Sequence, residues 1–435
     1  MYRKTLLASA LALFLAPTLH AAGLLEVYHD AVKQDAELAV EKARLETSRA
    51  QTRQAASYLL PQVNASGTFS RVDIEDAPEK MNNTNFTLSA QQTLLNGEAW
   101  YGKSAANAAF NAAEAGYSDV EQNLLLRVAE AYFNVLRAED NLRSSEAEEQ
   151  AIKRQLDQAQ EQYDVGLISI TNVLEARAAY DGARAARIGT EAALLISYED
   201  LEQITGTRYD DIDALSKKLP IIAPVPNNRQ AWVDQALTSS LILQAAKAGL
   251  AASEEGLKAK RSKHMPTLGL FAEYSKDSDT PNPYTRKSGY DQTVMGIKAN
   301  IEIYGGGLSS ASIREGSAML DEARSNEELA KRQVLQQTRS LFTQVNTDVL
   351  VVQARELAIE SSESALEATR TGYEVGTRNI VDVLNAERAL WGARRDYDAA
   401  RYNYVINQLR LKRVVGSLVE KDLQALNNWL VKAKN

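Results

Sequence analysis

Two periods of apolar residues alternate along this chain. The first is a heptad: Leu124, Val128, Ala131, Val135, Ala138, Leu142, Ser145, Glu149, Ile152, Leu156, Ala159 and Tyr163 keep a mostly apolar seven-residue repeat. Later in the chain Val345, Val352, Ile359, Leu366 and Tyr373 hold one heptad position. Sustained heptads predict helices packed as a left-handed coiled coil. No proline falls between Glu98 and Tyr163, so a single helix of roughly 65 residues, about 100 Å long, is expected there. Return helices are expected over Asn172–Ile204 and Ile380–Val415, and a further helical stretch runs from Leu24 to Leu59, stopping before Pro61.

The second period is two. Val63, Ala65, Gly67 and Phe69 alternate with Asn64, Ser66, Thr68 and Ser70, and Phe86, Leu88, Ala90, Gln92 and Leu94 alternate with Thr87, Ser89, Gln91 and Thr93. Further on, Leu268, Leu270, Ala272 and Tyr274 alternate with Gly269, Phe271 and Glu273, and Met295, Ile297, Ala299, Ile301 and Ile303 with Gly296, Lys298, Asn300 and Glu302. Polar loops, Asp73–Thr84 and Lys276–Asp291, divide each pair of runs, which marks two antiparallel strand pairs. Strands are expected at about 62–72, 85–96, 267–276 and 293–304. The last has a wholly apolar face and an opposite face bearing both charge signs, which a packed core would not accept unpaired. An apolar outside and a wet inside suit a transmembrane barrel; a half-buried strand of a soluble sheet is the alternative.

The pattern occurs twice. YDVGLISITNVLEAR (Tyr163–Arg177) and YEVGTRNIVDVLNAE (Tyr373–Glu387) share seven of fifteen positions at an offset of 210. Gly182-Ala183-Arg184 recurs as Gly392-Ala393-Arg394, Gly206 as Gly416, and Leu60-Pro61 as Met265-Pro266. Each Tyr-x-Val-Gly reads as the tip of a helical hairpin, with Gly166 and Gly376 supplying a positive φ at the helix end. The chain then divides into a leader over 1–22, a first repeat over 23–204 with its tip at 163–172, an irregular linker over 205–232, a second repeat over 233–415 with its tip at 373–382, and a C-terminal belt segment over 416–435 whose tail from Val431 is expected to fray.

Charge and leader narrow the class. A formal net charge of −8 gives no support for nucleic-acid binding. The chain has no cysteine, which removes disulfides and thiolate metal sites. A basic start, an apolar run from Leu6 to Leu15 and small residues at Ala21 and Ala22 predict a secretory leader cut near Ala21 or Ala22. No segment approaches the twenty apolar residues of a spanning helix, so any membrane crossing must be made by strands. Four strands cannot close a barrel alone. Two chains reach the minimum, and three chains give twelve strands around a lumen; the polar inner face with Lys298, Asn300 and Glu302 favours the trimer. The expected fold is therefore mostly α with a β-barrel part, each half supplying two strands and a long coiled-coil hairpin.

The leader, the duplicated plan, the Tyr-x-Val-Gly-Thr-Arg-x-Ile-Val-Asp-Val-Leu tip and the segment Arg401–Leu418 (RYNYVINQLRLKRVVGSL) resemble the TolC family of outer-membrane efflux proteins across nearly the whole mature chain. The resemblance implies a homotrimeric channel-tunnel in the outer membrane of a Gram-negative bacterium, contacting outer-membrane lipid. It implies a periplasmic adaptor protein and an inner-membrane pump or ABC exporter as partners, and no cofactor. It places a periplasmic constriction at Asp382, Asn385, Tyr373, Arg378, Thr171 and Asn172, and adaptor docking at Tyr163, Gly166, Leu167, Gly376 and Thr377, in the grooves around Tyr163–Ala176 and Tyr373–Ala386. A ring of like charges near an axis repels itself and attracts cations. The family pattern has Asp where Asn385 and Asn172 stand here, Asn172 being the expected partner of Arg378. One acidic ring is thereby lost, and weaker cation block with a looser closed state is expected. A periplasmic coiled-coil spacer without a barrel is the rival reading.

Other motifs have plainer accounts beside the sharp ones. Gly305-Gly306-Gly307-Leu-Ser-Ser resembles a phosphate loop but lacks the lysine, so a strand-to-helix bend fits better. Lys258, Lys260, Arg261, Lys263 and His264 suit anionic lipid or an ordinary solvated face. Trp100 and Tyr101 suit an interfacial belt or simple packing. Asp210, Asp211 and Asp213 suit calcium less well than a polar loop. No acid–base, metal or serine-elbow constellation offers catalysis.

Overall fold

The computed structural model describes residues 22–72, 81–281 and 288–432. The leader up to position 21 and the tips of both polar loops between strands lie outside them. Four strands, β1 (Gln62–Val72), β2 (Met81–Leu95), β4 (Thr267–Pro281) and β5 (Ser288–Asn300), form one antiparallel sheet in the order β1-β2-β4-β5. The registers put like with like. Val63 faces Ala90, Ala65 faces Leu88, Leu88 faces Tyr274, Ala272 faces Met295 and Leu270 faces Ile297. Because successive side chains alternate between faces, these pairs build one apolar surface across all four strands. It is uncovered: Met295 is 74% and Ile297 69% exposed. The other face pairs Asn64 with Ser89, Ser89 with Glu273 and Gly269 with Lys298. Phe271 and Val294 are apolar residues out of place there, and the Phe271 ring lies over Gly296, where a β-carbon would meet it at 3.2 Å.

The strand bounds differ from expectation at four ends. β2 begins at Met81, and β4 and β5 run on through much of the polar stretch, pairing Lys276 with Asp291 and Asp277 with Tyr290. Side-chain polarity marks where an apolar surround would stop, whereas the backbone ladder continues wherever two strands stay adjacent. β5 ends at Asn300, so Ile301 and Ile303 leave the sheet, Ile303 being 93% exposed. The chain swings there toward the helix that starts at Leu308, through Gly306 and Gly307 at φ 63° and 89°.

From the sheet two long hairpins depart. α3 (Gly97–Asp164, 68 residues) returns as α4 (Ile170–Thr205), and α7 (Leu308–Glu374, 67 residues) returns as α8 (Ile380–Val414). At ~1.5 Å per residue the long arms reach about 100 Å. The heptad residues Leu124, Val128, Ala131, Val135, Ala138, Ser145, Ile152 and Ala159 are buried, as are Val345, Val352 and Leu366. Shorter helices extend the return arms: α1 (Leu24–Gln34) with α2 (Ala36–Ser57), and α5 (Arg229–Ser239) with α6 (Leu241–Arg261).

The single helical stretch expected over Leu24–Leu59 is broken at Asp35. Its backbone is extended at φ −64°, ψ 118°, and its carboxylate accepts from the Leu38 N–H at 2.7 Å and from both Arg127 terminal nitrogens at 2.9 and 3.0 Å. A buried carboxylate so bound is a strong N-cap. Ser240 breaks the second copy with the same extended backbone, at φ −60°, ψ 122°, but its side chain makes no cap bond. Against this break lies Gly416, at φ 73°; a β-carbon there would run into the Ser239 carbonyl oxygen.

The main core sits where these breaks meet the belt. Leu24, Val27 and Ala31 of α1, Tyr132, Phe133 and Leu136 of α3, and Tyr402, Ile406 and Leu409 of α8 pack with Ile212, Trp232, Leu418 and Leu423. The belt is less irregular than expected. It contains α9 (Glu420–Asn427), and β3 (Ala214–Leu215) pairs with β6 (Leu430–Val431). Val431 is thus held by Ala214 rather than frayed; positions 433–435 lie outside the described residues.

Candidate functional site: the hairpin tips

Both tips are built by one device. Gly166 and Gly376, each at φ 79°, follow the helix ends. The N–H of Gly166 donates to the Tyr163 carbonyl and that of Leu167 to the Gln162 carbonyl, both at 2.8 Å. Gly376 donates to Tyr373 at 3.1 Å and Thr377 to Gly372 at 2.8 Å. This pair of bonds closes the helix end and needs the left-handed residue that glycine supplies without strain.

The helices leaving the two tips start differently. At α8, Asn379 and Asp382 form a reciprocal capping box: the Asp382 N–H donates to Asn379 Oδ1 at 2.9 Å, and the Asn379 N–H donates to Asp382 Oδ2 at 3.3 Å. At α4, Ser169 makes no side-chain cap bond and Asn172 stands where Asp382 stands in the second copy. The proposed gate carboxylate therefore also holds the start of its own helix. Arg378 reaches Asp382 at 3.9 Å, one turn away in the same hairpin. No hydrogen bond joins Arg378 to Asn172 within one chain among the described residues. A neutral amide competes poorly for a guanidinium with a carboxylate on the next turn. Thr171 and Asn385 are exposed, as are Gly166, Leu167, Gly376 and Thr377, so the tip surface is open to a partner.

Tyr373 does bridge the hairpins. Its hydroxyl donates to Gln162 Oε1 of α3 at 2.9 Å, and burial raises its pKa above the ordinary phenol value. Beside it lies an apolar contact that sequence reasoning missed. Ile380 and Leu384 of α8 are buried against Ile152 of α3 and Ala179 and Ala183 of α4, flanked by Tyr180 and Val381. Helix α8 thus carries two buried faces, Ile380 and Leu384 toward the first hairpin, and Val383, Glu387 and Leu390 also out of solvent. Glu387 is 1% exposed and is bound by Arg370 of α7, which ties the two arms of the second hairpin together. The signal for this pair was present: position 387 is Glu where the first copy has the exposed Arg177.

The remaining motifs resolve plainly. Glu302 fills the glycine turn, its carboxylate accepting from the Ser309 hydroxyl at 3.0 Å, so an anion has no place there. The basic cluster is largely paired: Lys258 with Glu255 at 2.6 Å, Lys260 with Glu315 at 2.7 Å and Lys263 with Glu98 at 3.5 Å. Trp100 is exposed and Tyr101 half-buried. Among the described residues no group of His, Cys, Asp and Glu could hold a metal, and no helix is long and apolar enough to cross a membrane.

Known proteins share this plan. The family described as "Outer membrane efflux protein" matches residues 27–207 and 232–417. Outer membrane protein TolC of Escherichia coli (strain K12) is 34% identical over 425 residues, covering 95% of this chain and 86% of that protein. The alkaline protease secretion protein AprF of Pseudomonas aeruginosa is 27% identical over 436 residues, covering 97% and 90%. The crystal structure of the Campylobacter jejuni CmeC outer membrane channel superposes with a TM-score of 0.81 at 18% identity, covering 94% of this chain and 90% of that one. With the family match falling on both copies of the repeat and breaking only at the belt, this chain is a member of the outer membrane efflux protein family.

Proposed function

We propose that three copies of this chain join their sheets edge to edge into a twelve-stranded barrel in the outer membrane, and that their hairpins continue the lumen as a periplasmic tunnel closed at the tips. One observation carries this reading: the apolar face runs in register across all four strands and is uncovered, while β1 and β5 leave both sheet edges unpaired. Open edges in lipid leave backbone donors and acceptors unsatisfied, at a cost of several kcal/mol each, so the sheet must close with other copies. The helices offer matching uncovered faces. Leu350 and Leu357 of α7, and Ile188 and Leu195 of α4, are exposed at heptad spacing, as seams awaiting a neighbour would be.

The duct would be passive, with energy supplied by an inner-membrane pump or ABC exporter and opening set by a periplasmic adaptor gripping the tips. The names of its relatives, an efflux family and a protease secretion protein, suit export of both small and large cargo. Asp382, Tyr373 and Arg378, with Asn385, Thr171 and Asn172, would line the constriction. The test is to extract the protein from outer membranes in detergent, measure its mass, and record conductance in a planar bilayer. A trimer with a low-conductance resting state is expected. A monomer released without detergent would overturn the reading.

A further inference from the structure

We infer that the leader is cut between Ala21 and Ala22, and that the α-ammonium of Ala22 so created docks on the acidic belt loop Asp210–Asp213. The inference starts from Ala22 itself, which is 4% exposed and belongs to the main core. It forms a parallel bridge with Ile212. Its N–H donates to the Asp211 carbonyl at 3.1 Å, and its carbonyl accepts from the Asp213 N–H at 3.2 Å and from the Tyr132 hydroxyl at 3.2 Å. Tyr132 is fully buried and also donates to the Asp213 carbonyl at 2.7 Å. Gly23 is equally confined, since a β-carbon there would come within 2.8 Å of Asn427 Oδ1.

These contacts distinguish the two small residues at the end of the leader. A cut after Ala22 would strip the Asp213 N–H of its acceptor beside the core, a penalty that unsatisfied groups carry and folded proteins avoid, while the single Tyr132 O–H would keep the Asp213 carbonyl. A cut after Ala21 keeps every bond. The leader's own residues agree. A cut after Ala21 puts Ala21 and Leu19 at the last and third-last leader positions, whereas a cut after Ala22 puts His20 in the third-last, where a small or apolar side chain is wanted.

The new terminus also gives the aspartates a purpose. Hydrolysis of the Ala21–Ala22 peptide bond leaves a carboxylate on the leader and an amine on Ala22, which takes up a proton at neutral pH. One of its N–H groups already points to the Asp211 carbonyl, which leaves two more for the surroundings. Those surroundings are acidic. Glu139 of α3 is raised above the usual carboxylate range, first by burial and then by the charges of Asp211 and Asp140, with the Tyr198 hydroxyl and Arg143 opposing, and Asp210 and Asp211 both bear on Tyr198. A cation at position 22 relieves this crowding. The acidic run thus serves the chain's own terminus.

The protein purified from outer membranes is read by N-terminal sequencing and intact mass. The expected first residues are Ala-Gly-Leu-Leu, from Ala22; a chain starting at Gly23, or retaining Ala21, overturns the cut. Docking is read separately, by the rate at which an amine-selective acylating reagent modifies the α-amine of the folded protein and of the peptide AGLLEV at the same pH. A rate at least about tenfold slower in the protein is expected from a charge-assisted bond of this kind. Equal rates would overturn the docking, whatever the conductance of the channel. The variant Asp211→Asn, which keeps the backbone carbonyl, should bring the protein's rate closer to the peptide's; an unchanged rate removes the aspartates from the account.

Discussion

Replacing Ile380 with alanine should open the channel rather than unfold it. Ile380 is 1% exposed, and apart from Leu384 its buried neighbours, Ile152, Ala179 and Ala183, all belong to the first hairpin. Truncating a buried isoleucine costs about 2–5 kcal/mol. Because three of its four buried neighbours lie across the inter-hairpin contact, most of that loss falls on the packed arrangement of the tips and little on either hairpin alone. Taking the low end, ~2 kcal/mol per protomer moves the balance between packed and separated tips by about thirtyfold. Planar-bilayer recording should show a higher resting conductance, and intact cells should admit a large antibiotic that the outer membrane normally excludes. Leu136→Ala is the control. Leu136 is as deeply buried, but in the belt-level core with no contact to the tips, so it should lower thermal stability and leave resting conductance unchanged. If Ile380→Ala gave wild-type conductance while losing as much thermal stability as Leu136→Ala, the apolar contact would be mere packing and the reasoning would fail.

Three further outcomes are expected. Arg370→Ala strands the Glu387 carboxylate in a buried site; because Arg370 is itself half-exposed, a loss of about 1–3 kcal/mol is expected, seen as faster amide hydrogen exchange at the second tip, and Arg370→Ala combined with Glu387→Leu should restore most of the protection. Asp398 is pushed up to about 6 from its ordinary 3.8, first by burial and then by the charge of Asp140, with Arg401 opposing. A carboxyl whose folded pKa is raised costs stability once it ionises, so the cost is absent below about pH 4, grows between pH 4 and 6 and is complete above; Asp398→Asn should therefore raise the melting temperature at pH 7.5 and leave it unchanged at pH 3.5. Asn385→Asp should strengthen block by divalent cations in single-channel records, since it adds a second carboxylate one turn beyond Asp382; block already as tight in the unmodified protein would show that one acidic ring suffices.

Much of this architecture is written in periodicity. The heptads mark which side of α3 and α7 is buried, and the two-residue alternation predicts the apolar sheet face, because both depend only on spacing along one element. What spacing cannot convey is how elements meet. The break at Asp35 hid inside a helical pattern because aspartate in a polar stretch looks like surface; its capping role depends on Arg127, ninety-two residues away. The pair Ser240 and Asp35, related by the offset of 205 already seen at Pro61 and Pro266, shows that the repeat itself held the clue. At the tips, Tyr373 and Asp382 were singled out by resemblance, yet their partners Gln162 and Asn379 were not, since a hydrogen bond across hairpins or across a cap leaves no period. β4 and β5 outrun their alternation for a related reason: polarity reports the surroundings of a strand, not its pairing.

The duplication has a mechanical consequence. The two hairpins share a turn, and each has an ion pair between its arms, Arg187 with Glu149 in the first and Arg370 with Glu387 in the second, but only the second carries a capping box and the buried Ile380 and Leu384 that dock on its neighbour. The first has an uncapped start at Ser169 and exposed Leu167 and Ile170. A hairpin whose outgoing helix is capped and whose arms are tied near the tip is suited to move as a unit, whereas one with an uncapped start is suited to adapt its surface to what grips it. Asp382 sits where these demands conflict. It caps α8, meets Arg378 and is the carboxylate proposed for the axis, so its removal disturbs helix, pair and ring together. Asp382→Ala cannot assign the gate for that reason. Asp382→Asn, which keeps an oxygen acceptor for the Asn379 N–H while discarding the charge, separates the ring from the cap. Cation block lost with tip protection retained would assign the charge to the axis, and both lost together would assign it to the fold.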